Sequence, residues 1–325
     1  MTDTRIIFTH GGGRLANQLI SHAHLLAFCA EHPGMFSLCN TAMWPWRAQL
    51  THDPVYPTNA RPPATARLLE TLLKAISGKP GHNSLLRLVY VISGLLPGVA
   101  RTRTSDIGGK FWVPAEIATP IDLMSGDAST LLRRRPVQIL CGWKIRSWAL
   151  VKIHRTAVLE HTSPCAEIAA SAERLVAKMR ARFDFLVGVH IRQGDYRFYQ
   201  NGRFFYNFEQ YAHWMRQIQE RYADRGRVGF LICSDEQFTL HPFRDLNVMP
   251  AWDFEEARPL RDNAALARCD LLVAPPSTFA LWAAFSGSIP MLVIADASVS
   301  LRHQPVIQDS FFDWLHHPLF TDFSP

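Results

Sequence analysis

Three short polar clusters in the second half of the chain carry residue types suited to holding a phosphorylated ligand. They are His190-Ile191-Arg192-Gln193-Gly194-Asp195, Ser234-Asp235-Glu236 and Pro275-Pro276-Ser277-Thr278-Phe279. An arginine can fork two N–H donors onto one phosphate, which lysine cannot do with the same planarity, so Arg192 is the candidate diphosphate ligand. Ser277 and Thr278 open a helical pattern, where unpaired backbone N–H groups and the helix dipole favour an anion. Asp235 or Glu236 could accept hydrogen bonds from a base or a ribose. Asp195 and His190 are the groups placed to take a proton. Each has an ordinary reading too, Asp195 as a turn former and His190 as a packed strand residue. No Walker A sequence and no Asp-x-Asp pair occurs. No metal site is therefore expected, and protein cations would neutralise the ligand.

These clusters end a regular alternation. Apolar strand patterns over 185–191, 228–233, 271–274 and 291–294 are separated by helical patterns over 208–222, 261–268 and 278–285. Such alternation argues for a parallel sheet covered on both faces. Ligands of such sheets bind beyond the carboxyl ends of the strands, so the three clusters are expected to meet in one crevice. The first half reads as a strand over 5–9, the glycines Gly11, Gly12 and Gly13, and a helix whose face carries Leu15, Leu19, Ala23, Leu26 and Ala30. A strand over 35–39, a Pro-rich loop over 51–63, helices over 67–76 and 84–93 and a strand over 137–141 follow. Ser163-Pro164 looks like the start of a new helix, an N-cap followed by an N1 proline. The expected division is into domains 1–162 and 163–325, with the C-terminal tail packing back on the first.

Length agrees with two domains, at 325 residues. The net charge of +6 comes from 34 Lys and Arg against 28 Asp and Glu, and the basic residues are nearly all arginine. Short clusters such as Arg101 with Arg103, or Arg133-Arg134-Arg135, lack interleaved aromatics, which argues against nucleic acid. Six scattered cysteines show no C-x-x-C and read as free thiols in a reducing compartment. No signal-peptide core is visible at the N-terminus, and the longest apolar run, 88–100, is too short and broken to span a bilayer. A cytoplasmic location is the expectation.

The clusters resemble motifs of a known family. His190 to Tyr196 looks like the His-x-Arg-Arg-Gly-Asp motif of α-1,2-fucosyltransferases, relatives of protein O-fucosyltransferases and α-1,6-fucosyltransferases. Pro276 to Ala284 resembles that family's Ser-Ser-Phe-Ser-Trp-Trp-Ala-Ala segment, and Ser234-Asp235-Glu236 its Ser-Asp-Asp strand end. Gly12-Gly13-Arg14-Leu15-Ala16-Asn17-Gln18 is similar to its opening Gly-Gly-x-Gly-Asn-Gln loop. The resemblance implies an α/β, GT-B-like fold: two Rossmann-like domains facing across a cleft. It implies an inverting glycosyltransferase that uses GDP-fucose and a carbohydrate acceptor, with no cofactor and no metal. Arg192 would hold the β-phosphate, Ser277 and Thr278, with Phe279, the pyrophosphate, and Asp235 and Glu236 the nucleotide. Gly13 and Asn17 would line the cleft from the opposite domain. The sequence departs from the pattern at Gln193, in place of a second arginine, at Ala16 and at Pro275-Pro276.

Three alternatives stand beside this. Gly11-x-Gly13-x-x-Ala16 fits a dinucleotide fingerprint, which implies an NAD(P)-dependent enzyme, yet the next strand ends in Cys39-Asn40-Thr41 without an acid. Gln193 keeps open a non-catalytic nucleotide- or glycan-binding protein on the same fold. The helices within 64–103, flanked by Lys79, Arg87, Arg101 and Arg103, suit a peripheral membrane contact. The oligomeric state is not readable.

Overall fold

The computed structural model describes residues 3–56, 62–79, 82–104, 116–118, 120–253 and 259–308. The expected return of the C-terminal tail to the first domain lies outside the described residues, as does the middle of the Pro-rich loop. Two compact units emerge, Met1–Cys165 and a second that begins at Ala166.

The first unit contains β1 (Thr4–His10), α1 (Leu15–Glu31), β2 (Phe36–Asn40), β3 (Val55–Tyr56), α2 (Ala64–Ile76), α3 (His82–Ser93), β4 (Val99–Thr104), β5 (Glu116–Ala118) and β6 (Ile121–Asp122). It continues with α4 (Gly126–Leu132), β7 (Val137–Cys141), β8 (Ile145–Arg146), α5 (Trp148–Ile153) and α6 (Arg155–Thr162). Its sheet runs β3-β2-β1-β7-β4-β5, parallel except for β3 at the edge. β4 lacks the apolar alternation of a strand in its sequence, Val99-Ala100-Arg101-Thr102-Arg103-Thr104. Its Arg101 and Arg103 look like a surface charge cluster in the string, but the strand is paired between β7 and β5 and Arg103 is buried.

The second unit holds α7 (Ala166–Arg180), β9 (Phe185–Ile191), α8 (Phe208–Arg221), β10 (Val228–Ser234), β11 (Val248–Pro250), α9 (Pro259–Leu266), β12 (Leu271–Ala274), α10 (Thr278–Gly287) and β13 (Met291–Val293). The sheet is parallel throughout, in the order β11-β10-β9-β12-β13. Chain order therefore reverses between β9 and β12, which makes their carboxyl ends the topological switch point. Every residue of β9 after Phe185 is buried because helices cover both faces. Val187, Val189 and Ile191 share one core cluster with Tyr211, Met215 and Ile218 of α8. On the other face, Gly188 lets Leu266, Cys269 and Leu272 approach the strand.

Helix α10 is apolar nearly all round, with Ala280 to Phe285 all buried, and the burial of a large side chain such as Phe285 contributes about 1.5–3 kcal/mol. Its seat is set by a close approach. A methyl group at Gly287 would meet the Ala267 carbonyl oxygen at 2.0 Å. Asn263 Nδ2 donates to the Phe279 carbonyl at 2.7 Å and ties the other end of the helix to α9. Gly287→Ala is expected to lower stability by about 1–3 kcal/mol, because backbone rather than a pliable side chain must yield. Chemical denaturation checks this; a change below about 0.5 kcal/mol would show that α9 and α10 are not held at contact distance.

Candidate functional site

At the switch point the polar residues following β9 meet those following β10 and β12. Arg192 leaves the end of β9 with a guanidinium held by two carboxylates. Nη1 lies 2.8 Å from Asp235 Oδ2, and Nη2 lies 2.5 Å from Asp195 Oδ1. The two partners differ sharply in exposure, at 12% for the Asp235 side chain and 58% for Asp195. Asp235 is fixed from a second side as well, since its Oδ1 accepts the Gln193 backbone N–H at 2.8 Å. Gly194 makes room for it, as a Cβ there would sit 2.6 Å from Asp235 Oδ2. Glu236 pairs instead with Arg197, at 2.7 Å.

Tyr196 links this group to the third strand. Arg192 lies over its ring at 5.4 Å from the centroid, and its hydroxyl donates to the Pro276 carbonyl. Pro276 precedes Ser277, the N-cap of α10, whose Oγ accepts the Phe279 N–H at 3.2 Å. Capping uses a lone pair of that hydroxyl and leaves its O–H able to donate. Arg192, Asp195, Asp235 and the start of α10 are thus brought together, with Tyr196 as the bridge. Thr278 and Phe279 form the first residues of that helix.

His190 has a packing role. It is buried against Phe279, with ring centroids 4.8 Å apart. Burial first, and the Arg192 charge second, lower its pKa to about 3, so the imidazole stays neutral at ordinary pH. Gln193, the position where the motif's second arginine would stand, is also turned inward. It is 3% exposed, and its Nε2 donates to the Tyr206 carbonyl at 2.8 Å. Its side chain stitches the end of β9 to the segment before α8 and does not face a ligand.

Gly13 and Asn17 belong to the first unit, at the carboxyl end of β1. Gly12 and Gly13 take positive φ values of 76° and 66°. A Cβ at Gly13 would collide with the Asn17 side chain, and Gln18 Nε2 donates to the Gly12 carbonyl at 2.6 Å. The loop therefore has the shape of a glycine turn into a helix. The dinucleotide reading fails one strand later: where a ribose-binding acid is needed, Asn40 is buried and its Oδ1 accepts the Met43 N–H at 3.1 Å. Among the described residues no group of three His, Cys, Asp or Glu side chains is arranged to hold a metal ion.

No protein-family model matches the chain, and no curated protein matches it either. Solved structures do. A mutant of FUT1 from Arabidopsis thaliana in complex with GDP aligns with a TM-score of 0.54 at 10% identity, over 93% of this chain and 72% of that one. Fucosyltransferase NodZ from Bradyrhizobium aligns with a TM-score of 0.50 at 13% identity, over 95% and 100%. NodZ alpha-1,6-fucosyltransferase soaked with GDP-fucose gives 0.50 at 14%, over 94% and 100%. The chain shares their fold. The α/β, GT-B-like class expected from the motifs is the class found.

Within that fold, sequence reasoning missed Tyr196 as a bridge and the pairing of Asp235 with Arg192. A carboxylate at a strand end looks suited to a ligand, and its contact with an arginine at the end of the neighbouring strand shows only in the geometry. In this GT-B-like site the charges of Arg192, Arg197, Asp195, Asp235 and Glu236 sum to −1, from two positive and three negative groups. Of the two partners of Arg192, Asp195 is the exposed one, so it is the carboxylate that an incoming anion could replace. Asp195→Asn is expected to tighten GDP about three- to fivefold, the scale of one exposed ion pair. Isothermal titration measures it, and weaker binding by the variant would contradict displacement.

Proposed function

We propose that the protein is an inverting glycosyltransferase that moves fucose from GDP-fucose to a hydroxyl of a glycan acceptor, without a metal ion. Support for a nucleotide diphosphate comes from one observation above all: Arg192 and the N-terminus of α10 are linked through Tyr196 at the switch point of a parallel sheet. Support for fucose is the motif resemblance to α-1,2-fucosyltransferases, together with a fold shared with structures that carry GDP or GDP-fucose.

The acceptor oxygen would attack the anomeric carbon from the face opposite the diphosphate. The bond to the β-phosphate oxygen breaks, and negative charge grows on departing GDP. Arg192 and the helix N-terminus, Ser277 and Thr278 included, would meet that charge where it develops, which is how preorganised donors lower a barrier. Their cationic and dipolar character is the ground for proposing that no metal is needed. Asp235 would hold Arg192 in aim. Asp195, released by the incoming diphosphate, is the more exposed carboxylate of the two and is assigned as base over buried His190. Gly13 and Asn17 of the first unit are assigned to the acceptor side.

All six cysteines are free thiols, in keeping with the proposed cytoplasmic location. No helix among the described residues is long and apolar enough to cross a membrane. Peripheral contact through residues 64–103 is proposed in its place.

A thermal-shift panel of GDP-, UDP-, CMP- and dTDP-sugars is expected to give a selective GDP response. Arg192→Ala should lower transfer by roughly 10²- to 10⁵-fold, the range of lost oxyanion donors and arginine fingers. Arg192→Lys should also be poor because the fork is lost. Near-normal transfer by the alanine variant would contradict the assignment.

A further inference from the structure

Helices α2 and α3 bury one stripe and turn a second apolar stripe to solvent. Ala66, Leu69 and Leu73 of α2, with Leu86 and Tyr90 of α3, pack on Ile7, Val137 and Ile139 of the first sheet. The opposite stripe carries Leu68 and Leu72 on α2 and Leu85, Leu88, Val91 and Ile92 on α3, with Leu95 just beyond. All seven are exposed, Leu95 to 84% and Leu68 to 55%. Seven of the twelve large apolar side chains exposed among the described residues thus lie on this helix pair or, for Leu95, two residues past its end. Their spacing is helical, so each stripe is one continuous face. Isolated exposed leucines need no explanation, whereas a contiguous face of this size marks a contact surface.

Charge says what kind. Residues 62–104 contain Arg67, Lys74, Lys79, Arg87, Arg101 and Arg103 against a single acid, Glu70. Glu70 is buried beneath Arg5 at 2.6 Å, with Lys74 Nζ 3.7 Å from its other oxygen. The segment therefore carries six minus one, or +5, of the chain's net +6. Arg103 is buried and contributes only at a distance. At the end of α2, Lys74 and Arg47 both lie over the Trp44 ring, at 4.3 and 4.9 Å. An apolar stripe with basic residues and an indole at its rim is the composition of a helix that lies in a bilayer interface. A second copy of the chain would set this positive surface against itself, which argues against self-association.

We propose that the exposed face of α2 and α3 docks on an anionic lipid bilayer, with the leucines among the acyl chains and the basic rim among the headgroups. The surface stands on its own residues and does not depend on which nucleotide the second unit binds.

Co-sedimentation with vesicles of phosphatidylcholine containing about a quarter phosphatidylglycerol tests this. The full chain is expected to pellet with these vesicles, at least about tenfold less with phosphatidylcholine alone, and less at high salt. The double variant Leu88→Ser with Leu95→Ser should lose about tenfold or more of the binding, and Arg67→Glu about fivefold or more. Since these side chains are exposed, melting temperature and GDP response should be unchanged in both variants. Absence of pelleting at low salt, or equal pelleting by the double variant, would overturn the proposal. A dimer in light scattering that becomes monomeric in the double variant would overturn it as well, by giving the face to a second copy.

Discussion

The guanidinium of Arg192 sits between two carboxylates of unequal freedom, and the rest of the second unit can be understood as what holds that arrangement. Asp235 is nearly buried, ion-paired with the arginine and accepting the Gln193 backbone N–H, so half of the fork is fixed in direction. Asp195 is exposed and holds the other half at the surface. A buried partner sets geometry and an exposed one can be exchanged, because the exposed pair is worth little against water and salt. Gly194 is needed for the first pairing and the inward turn of Gln193 locks it. Tyr196 then carries the position of the arginine across to the start of α10.

The parallel sheet supplies the frame. Burial on both faces leaves β9 no freedom to slip, since a shift of one residue would send Arg192 to a different level of the crevice. The close backbone approach of α10 to α9 does the same for Ser277. Rigid elements thus fix the donors that would face a diphosphate, and among the described residues the exposed ion-pair partner of the arginine, Asp195, is the carboxylate that a ligand would replace.

Much of the second unit was legible because its strands are apolar runs bounded by turn residues. The spans read over 185–191 and 271–274 are those of β9 and β12. The first unit was harder. β4 carries Arg101 and Arg103 where a strand pattern expects apolar residues; Arg101 is accommodated by donating to the Tyr90 carbonyl at 3.0 Å and lying over its ring. The turns over Thr41–Gln49, interrupted by Pro45, and the short helices α4 to α6 offer too few turns for periodicity to show. At the site, Arg192 and Ser277 were legible as residue types at strand ends. The bridge through Tyr196 and the pairing of Asp235 were not, since both depend on contacts between segments about 40 to 80 residues apart. The apolar helices of residues 64–103 stood out in the sequence, but only the packed structure shows which of their leucines the core leaves exposed.

A crystal structure of the protein with GDP tests the central claim most directly. The account predicts a β-phosphate oxygen at about 2.8 Å from the Arg192 guanidinium, Ser277 at the same diphosphate, Asp195 turned away and Asp235 still in place. A diphosphate bound elsewhere, or bound while the contact between Arg192 and Asp195 persists, would contradict it.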